Sequence, residues 1–216
     1  MPKLIIIIPC YNEEEVLPLT NQRMADLLNN MVNGALIDAD SNILYVDDGS
    51  RDKTWTLIEE YNTENNRVKG VKLAGNSGHQ NALIAGLYTA VELDADITVT
   101  IDADLQDDID VIPQMVESYL QGNDIVYGVR KERKNDSWFK RNTAQTFYKL
   151  MKMLGVKSVY NHADFRLMSR RSVMQLLDYR ERNLFLRGIV PLMGYKTDTV
   201  FYDRGERKAG TSNYPL

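Results

Sequence analysis

Hydrophobic and polar positions along the first 130 residues follow two alternating patterns. Continuous apolar runs, typical of strands buried on both faces of a sheet, occur in KLIIII, NILYV, RVKGVKL, DITVTI and DIVYGV. Between them, apolar residues recur at helical spacing in residues 16–31, 55–61, 77–93 and 112–120. This regular alternation predicts an α/β fold, a Rossmann-like and mainly parallel sheet flanked by helices, with right-handed crossovers.

Single residues predict where some of these helices begin and end. Pro18 is compatible with a first helical turn, and Ser50 is a candidate N-cap for the helix that carries Trp55. Gly122 follows the last apolar position of its helix, as a C′ glycine does.

Beyond Gly128 the pattern is less regular. Residues 137–154 have a basic, aromatic-rich helical pattern, and DFRLMSRR and KTDTVFYD resemble strands. Because no linker separates the two parts, we expect one domain over residues 1–216, with functional halves at 1–129 and 130–216.

Length and composition favour a protein with one large core. The chain has 216 residues, of which 44% are hydrophobic. Its longest apolar run, Leu4–Ile8, is far shorter than the roughly 18 residues of a membrane helix. A single cysteine, Cys10, excludes an internal disulfide and fits a reducing compartment. We therefore expect a soluble chain on the cytosolic side.

Charge is distributed unevenly between the two halves. Residues 1–129 carry 7 Lys/Arg and 22 Asp/Glu, whereas residues 130–216 carry 19 and 8. A basic half of this kind suggests an anionic partner, and nucleic acid, phospholipid headgroups and phosphorylated substrates all fit that description.

Three of the predicted strands end in polar clusters, PCYNEEE, DDGS and DADLQDD. Ligands of parallel α/β sheets bind outside the carboxyl ends of the strands, so these clusters predict a site. Asp102 and Asp104, with the amide of Gln106 nearby, offer oxygen ligands for Mg²⁺ or Mn²⁺. For Asp107, Asp108 and Asp110 we favour a solvated loop that caps the following helix.

The remaining polar positions allow simpler interpretations. At the end of the second predicted strand, in VDDGS, a carboxylate can accept hydrogen bonds from N–H or hydroxyl groups of a ligand. For Asp47 and Ser50 we favour the simpler interpretation, a turn that caps the next helix. GNSGHQNAL leads into a helix N-terminus, which is a weak signal for anion binding. His79 and His162 are interpreted as hydrogen-bonding residues rather than zinc ligands.

Several motifs together resemble a known family. IIPCYNEE, VDDGSRDKT, NSGHQNALIAGL and DADLQDD resemble the nucleotide-sugar half of family-two glycosyltransferases of the GT-A fold. YGVRKER, HADFRLMSRR, ERNLFLRG and DRGERKAGTSNYPL are similar to the polyprenyl-phosphate glycosyltransferases, the bactoprenol glucosyltransferase and dolichol-phosphate mannose synthase group. The resemblance covers nearly the whole chain and implies a GT-A sheet with a short antiparallel part on the acceptor side.

The resemblance also implies roles for individual residues. It implies nucleoside contacts from Pro9, Tyr11 and Glu13, a base contact from Asp48, ribose and diphosphate contacts from Asp102, metal binding by Asp104 with Gln106 close by, a catalytic carboxylate at Asp164, and phosphate contacts from Arg130, Arg133 and Arg207. Family members often have lysine where this chain has Asn213. Arg130 and Arg133 also fit surface charges, and Arg166, Arg170 and Arg171 are predicted to be surface charges.

These inferences predict a metal-dependent inverting glycosyltransferase. It would move a hexose from a nucleotide sugar to polyprenyl phosphate at the cytoplasmic membrane face, and the product would serve cell-wall or surface glycans. UDP-glucose or a similar UDP-hexose is the favoured donor. A phosphate acceptor is already ionised and hardly needs a base, whereas a hydroxyl acceptor would require Asp164 to act as one. GDP-mannose as donor, a glycan or lipid hydroxyl as acceptor, and a non-catalytic nucleotide-sugar-binding module are the alternatives. Nucleic-acid binding is disfavoured, since acidic strand ends would repel phosphates.

The basic half would also face the membrane. Its aromatic residues and methionines among lysines suit an anionic membrane surface, although they equally fit a helix packed on the core. Related enzymes commonly continue into membrane helices, so we expect a catalytic fragment without them, or a chain that relies on partner subunits. The oligomeric state is left open.

Overall fold

The computed structural model describes residues 1–131, 162–179 and 185–205. Within these ranges seven strands form one sheet. They are β1 (Leu4–Cys10), β2 (Asn42–Asp47), β3 (Val68–Lys72), β4 (Ile97–Thr100), β5 (Ile125–Arg130), β6 (His162–Ser169) and β7 (Thr197–Tyr202).

The sheet is mainly parallel, as predicted. Its strand order is β3-β2-β1-β4-β6-β5-β7. In the described residues, β6 runs antiparallel to both of its neighbours, and the other four strand pairs are parallel. The antiparallel part expected on the acceptor side is therefore β6, which carries Asp164 between β4 and β5.

Helices cover both faces of this sheet. They are α1 (Leu17–Asn33), α2 (Thr54–Glu64), α3 (His79–Glu92), α4 (Ile112–Leu120), α5 (Arg170–Leu177) and α6 (Leu186–Ile189). One apolar cluster joins the sheet to residues of α1, α2 and α4, and a second joins it to α3, α5 and α6. None of the helices within the described ranges has both the length and the apolar character to cross a membrane.

Local predictions had mixed outcomes. Pro18 lies in the first turn of α1, and Gly122 follows α4 with a φ of 92°, as expected of a C′ glycine. Ser50 does not cap α2, because that helix begins only at Thr54 and its N-cap is Lys53. DFRLMSRR is a strand only to Ser169, whose side chain caps α5 by accepting a hydrogen bond from Ser172 N. The predicted basic helix at 137–154 lies outside the described residues.

Close packing of α3 against the sheet positions its N-terminus beside the strand ends. A Cβ atom on Gly86 would lie 2.4 Å from Cγ2 of Ile7, so only glycine permits this approach. The order in which strands are added to the sheet reverses at β1: β2 and β3 lie on one side of β1, and the parallel strand β4 lies on the other. Such a switch point opens a crevice at the carboxyl ends of the strands.

Candidate active site

A cavity of about 590 Å³ lies at this switch point. It receives Pro9, Cys10, Tyr11 and Glu13 after β1, Asp48 after β2, His79, Gln80 and Ala82 from α3, Asp102, Ala103, Asp104 and Gln106 after β4, Asp164 from β6, and Phe185, Arg187 and Arg204 from the last third of the chain. Eight of the implied site residues, from Pro9 to Asp164, therefore share one cavity; Arg130 does not line it within the described chain.

The loop after β1 is attached to the loop before α2. Asn12 N donates to Ser50 Oγ at 3.0 Å, and Glu13 N donates to Thr54 Oγ1 at 2.9 Å. In return, Arg51 N donates to Asn12 Oδ1 at 2.8 Å. These bonds satisfy backbone groups that leave the sheet, and they hold Tyr11 and Glu13 at the cavity wall. Ser50 thus serves this junction rather than the helix end.

Asp48 is buried and organises the turn before α3. Its two carboxylate oxygens accept hydrogen bonds from Ser77 N at 2.7 Å and Gly78 N at 2.9 Å. These backbone donors belong to the helix N-terminus that the sequence marked as a weak anion site, so a side chain of the protein itself already occupies them. Asp48 therefore connects the end of β2 to α3 while also lining the cavity.

The acidic segment after β4 is held mainly through hydrogen bonds to its backbone groups. Thr20 Oγ1 donates to Ala103 O at 2.7 Å, and Gln106 N donates to Asp104 Oδ1 at 3.0 Å. Gly205 N donates to Gln106 O at 2.9 Å, and Arg204 donates to the Gln106 side-chain oxygen. Leu105, between these bonds, has a φ of 55°, a left-handed conformation that a non-glycine residue adopts only when its surroundings impose it.

Asp102 lies in an environment that disfavours its charge. The side chain is 43% exposed, but the cavity around it removes much of the bulk water. Desolvation raises its pKa to about 6; the nearby His79 opposes the shift, and the neighbouring carboxylates of Asp107, Asp104 and Asp164 add to it. His79 Nε2 lies 3.6 Å from Asp102 Oδ1 and 3.6 Å from Asp164 Oδ2, so it bridges two carboxylates. Desolvation lowers the pKa of His79, but these two carboxylates more than offset it and the pKa is raised.

Asp107 is not part of a solvated loop, contrary to the sequence-based interpretation. It is buried and accepts hydrogen bonds from Tyr202 Oη at 2.6 Å and from Arg130 Nη2 at 2.9 Å. Arg130 Nε also contacts Tyr202 Oη at 3.2 Å. This trio connects the acidic segment to β5 and β7. Asp108 does act as predicted, since it caps the short 3₁₀ helix before α4 by accepting from Asp110 N.

Asp164 is surrounded by cations. Its Oδ1 lies 2.6 Å from Arg166 Nη2, and its Oδ2 lies 2.9 Å from Arg187 Nη2. Burial alone would raise the pKa of this carboxyl; the contact from His79, the hydrogen bonds from Arg187 and the charges of Arg166 and Arg187 more than offset it. The net result is a pKa well below the usual range, so Asp164 is a stable carboxylate and a weak base.

Sequence reasoning misjudged Arg166 and missed Arg187. Arg166 was expected on the surface, yet its side chain is only 2% exposed. The signal was present, because residues two apart on a strand share a face and Asp164 and Arg166 are so spaced. Arg187 lies in ERNLFLRG, a motif used for the resemblance without a role for this residue. Arg170 and Arg171 do pair with carboxylates outside the cavity, Asp94 and Asp124.

Two of the implied phosphate-binding arginines, Arg133 and Arg207, lie outside the described residues, as does Asn213. Their proposed roles remain predictions.

Comparisons with known proteins identify the family of the chain. Residues 5–177 match the family model described as glycosyl transferase family 2. The uncharacterized glycosyltransferase YkoT of Bacillus subtilis is 53% identical over 215 residues, which is all of this chain but 64% of that protein. The bactoprenol glucosyl transferase of Shigella phage SfV is 36% identical over 98% of this chain and 66% of its own length. The chain therefore spans just under two thirds of these relatives.

Solved structures share the fold at low sequence identity. The mannosyltransferase PcManGT of Pyrobaculum calidifontis, in complex with GDP-Man and Mn²⁺, aligns with a TM-score of 0.60 at 19% identity, covering 92% of this chain and 55% of that one. Glucosyl-3-phosphoglycerate synthase of Mycobacterium tuberculosis, in complex with phosphoglyceric acid, aligns with a TM-score of 0.58 at 18% identity, over 97% and 73% of the two chains. Both are GT-A enzymes, which confirms the predicted fold. The family match over residues 5–177 shows that the chain belongs to glycosyl transferase family 2.

Proposed function

We propose that this chain is the catalytic part of an inverting, metal-dependent transferase that moves a hexose from a UDP-sugar to polyprenyl phosphate. The reaction would take place at the cytoplasmic face of the membrane and serve cell-wall or surface glycans. The observation that carries the proposal is a single cavity that is lined by Tyr11, Glu13 and Asp48, by Asp102 and Asp104 of the acidic segment, and by Asp164. The glucosyl transferase relatives support the sugar and the lipid class.

The acidic segment fits a hard divalent cation. Asp102, Asp104 and Gln106 offer oxygen donors on one part of the cavity wall, as Mg²⁺ and Mn²⁺ require. Among the described residues no three His, Cys, Asp or Glu side chains form a ready metal cage. A cation here would therefore depend on phosphate oxygens of the donor, as Mg²⁺ commonly does. Held by Asp104, it would supply Lewis-acid stabilisation of the diphosphate leaving group.

The protein's own residues supply binding and orientation. Pro9, Tyr11 and Glu13 would hold the nucleoside in the wall that the bonds to the α2 loop make rigid, and Asp48 the base. Asp102 would contact the ribose and diphosphate. Such preorganisation lowers the barrier because the reacting groups meet without further ordering.

The state of Asp164 favours a phosphate as acceptor over a hydroxyl. A base must bind a proton during the reaction, and a carboxylate paired with two guanidinium groups has little tendency to do so. A lipid phosphate is largely ionised at neutral pH and attacks without losing a proton. The surroundings of Asp164 thus support polyprenyl phosphate and weigh against transfer to a glycan or lipid hydroxyl.

Thermal melting tests the donor and metal parts of this proposal. Wild type and the variants Asp104→Asn and Asp108→Asn are melted with UDP or GDP, each with and without Mn²⁺. We expect UDP with Mn²⁺ to raise the Tm of wild type and of Asp108→Asn, but not of Asp104→Asn, because a ligand that binds the folded state stabilises it. A rise confined to GDP would move the donor to GDP-mannose. No rise with either nucleotide would contradict both the transferase proposal and a nucleotide-sugar-binding module.

A further inference from the structure

Arg187 stands apart from the other cations around Asp164. Arg166, 2% exposed, already lies 2.6 Å from Asp164 and is sufficient to neutralise it. Arg187 approaches the second carboxylate oxygen from the cavity side, and its side chain is 47% exposed. One carboxylate therefore orients two guanidinium groups, one buried and one facing the cavity.

The geometry points to Arg187 as a phosphate-binding residue of the cavity, with Asp164 as its positioning residue rather than a base. This inference rests on the proposed function, because it assigns one contact within that site. The ligand chemistry is a phosphoryl group, either in the diphosphate of the donor or in the phosphate of the acceptor.

The hydrogen bonds of Arg187 leave part of its guanidinium for a ligand. Its Nε lies 3.3 Å from each oxygen of Asp164, and its Nη2 lies 2.9 Å from Oδ2. A guanidinium has five N–H donors in a planar fork, and within the described part of the chain no hydrogen bond engages Nη1. The bond to Asp164 fixes the plane of the group in advance, which reduces the ordering that a ligand must impose.

The local charge also favours an anion. The guanidinium groups of Arg166 and Arg187 face the single carboxylate of Asp164, so this pair of cations exceeds the charge of that carboxylate by one. Asp102 and Asp104 line the same cavity on the side where a cation is proposed. A phosphoryl group in this cavity would be within reach of both a cation held by the acidic segment and Arg187, and arginine binds phosphate strongly through paired hydrogen bonds.

The backbone that carries Arg187 is anchored as a positioned residue requires. Leu186 N donates to Gln80 Oε1 at 3.3 Å, and Arg166 Nη1 donates to Leu186 O at 3.5 Å. These bonds connect α6 to α3 and β6, so Arg187 is held by rigid elements rather than by a loose loop. A purely structural role would instead mean that Arg187 only secures α6, and this alternative makes different predictions.

The test compares Arg187→Gln and Arg187→Lys with wild type and with Arg170→Gln. The control also removes an arginine paired with an aspartate, but outside the cavity. Two quantities are measured: the Kd of UDP with Mn²⁺ by calorimetry, and the KM and kcat for polyprenyl phosphate in detergent micelles with UDP-glucose. Loss of a charge-assisted hydrogen bond weakens binding about 10- to 100-fold.

Two results would support the inference and identify the phosphate. A raised Kd for UDP in Arg187→Gln places Arg187 on the donor diphosphate. An unchanged Kd with a raised KM for the lipid places it on the acceptor phosphate. In either case we expect Arg187→Lys to be affected less and Arg170→Gln to match wild type. If Arg187→Gln changes only the Tm, the role is structural and the inference is wrong. If wild type itself binds neither UDP nor GDP, the proposed function fails, and the inference with it.

Asp164→Asn tests the positioning role. A positioning residue acts through Arg187, so we expect this variant to raise the same Kd or KM and the double variant to add little to Arg187→Gln. If Asp164→Asn instead abolishes kcat while Kd and KM stay at wild-type values, Asp164 acts as a base and this part of the inference is wrong.

Discussion

Two parts of the cavity lining, here called its two walls, handle their carboxylates in opposite ways: β6, which carries Asp164, and the segment after β4, which carries Asp102 and Asp104. On one wall Asp164 is 8% exposed and paired with Arg166 and Arg187. On the other, Asp102 and Asp104 have no arginine or lysine partner within the described residues, and Asp102 meets only His79 at 3.6 Å. Charge is compensated inside the protein on the first wall, whereas on the second it is left for a ligand.

This difference explains what each wall contributes. Pairing keeps Asp164 ionised and fixed, which suits a residue that positions others. The repulsion between Asp102 and Asp104 is a cost that the fold tolerates, since backbone bonds to Ala103 and Gln106 hold the segment in place. Functional sites commonly retain such unfavourable features, and a cation with its phosphate ligands would relieve this one.

The largest expected effect is on the free energy of unfolding, which a substitution of Asp164 should lower much more than a substitution of Asp104. Asp164→Asn leaves the buried guanidinium of Arg166 without its counter-charge, and breaking a buried pair in this way costs about 3–5 kcal/mol. Asp104→Asn keeps an oxygen for Gln106 N and removes a repulsive charge, so its free energy of unfolding should stay within about 0.5 kcal/mol of wild type. Urea denaturation with a chelator present measures both. Equal losses would contradict the distinction between the walls.

A smaller effect is expected in the pH dependence of stability, where the walls have opposite signs. The pKa of Asp102 is raised to about 6 from an ordinary value of 3.8, so between these values the folded chain binds the proton first and stability rises as pH falls. The pKa of Asp164 is lowered, so the unfolded chain binds the proton first and stability is lost as pH falls below about 4. His79, with a raised pKa, adds stability at low pH that is lost as pH rises through its folded-state pKa.

Unfolding free energies measured from pH 7 to pH 3 in a chelator check these signs. Asp102→Asn should reduce the gain between about pH 6 and 4, and the gain that remains should fall further when His79 is replaced by Gln. If the free energy of unfolding of wild type decreases steadily as the pH is lowered, with no gain between about pH 6 and 4, Asp102 does not have the raised pKa expected for it.

The smallest expected effect concerns the anchor of the acidic segment. Tyr202→Phe removes the hydroxyl that donates to Asp107 but keeps the ring that packs edge-on against Phe165, with centroids 5.4 Å apart. One lost hydrogen bond costs about 1 kcal/mol. If this energy is lost from the positioning of the metal site, UDP binding should require an Mn²⁺ concentration about fivefold higher. Tyr88→Phe, an exposed tyrosine that donates to Leu177 O, is the control. If the two variants behave alike, the anchor does not position the acidic segment.

Local pattern was enough to predict most of the framework and half of the cavity. Strands buried on both faces stand out as continuous apolar runs, and each prediction within the first 130 residues matches a strand to within a few residues. The polar residues that follow β1, β2 and β4 were predicted to meet because parallel strands end at one edge, and they do. The family motifs added Asp164, which periodicity alone does not connect to the cavity.

Predictions failed where the pairing or the burial of a charged side chain depends on residues far along the chain. Asp107 looked like one more exposed acid, but its partner Tyr202 is 95 positions away. Arg166 looked like Arg170 and Arg171, which follow it in the first turn of α5. It is buried because β6 inserts antiparallel between β4 and β5, a pairing that sequence order does not reveal.

By itself, the sequence determined the α/β framework, the edge of the sheet where the site lies and the carboxylates that line it, because strand periodicity and strand ends are local properties. Only the tertiary structure decided which of those carboxylates are neutralised. Charge compensation depends on distance and burial, and these are set by the tertiary packing. The insertion of β6 between β4 and β5 buries Arg166 with Asp164, α6 brings Arg187 to the cavity, and Asp102 and Asp104 are left to a ligand.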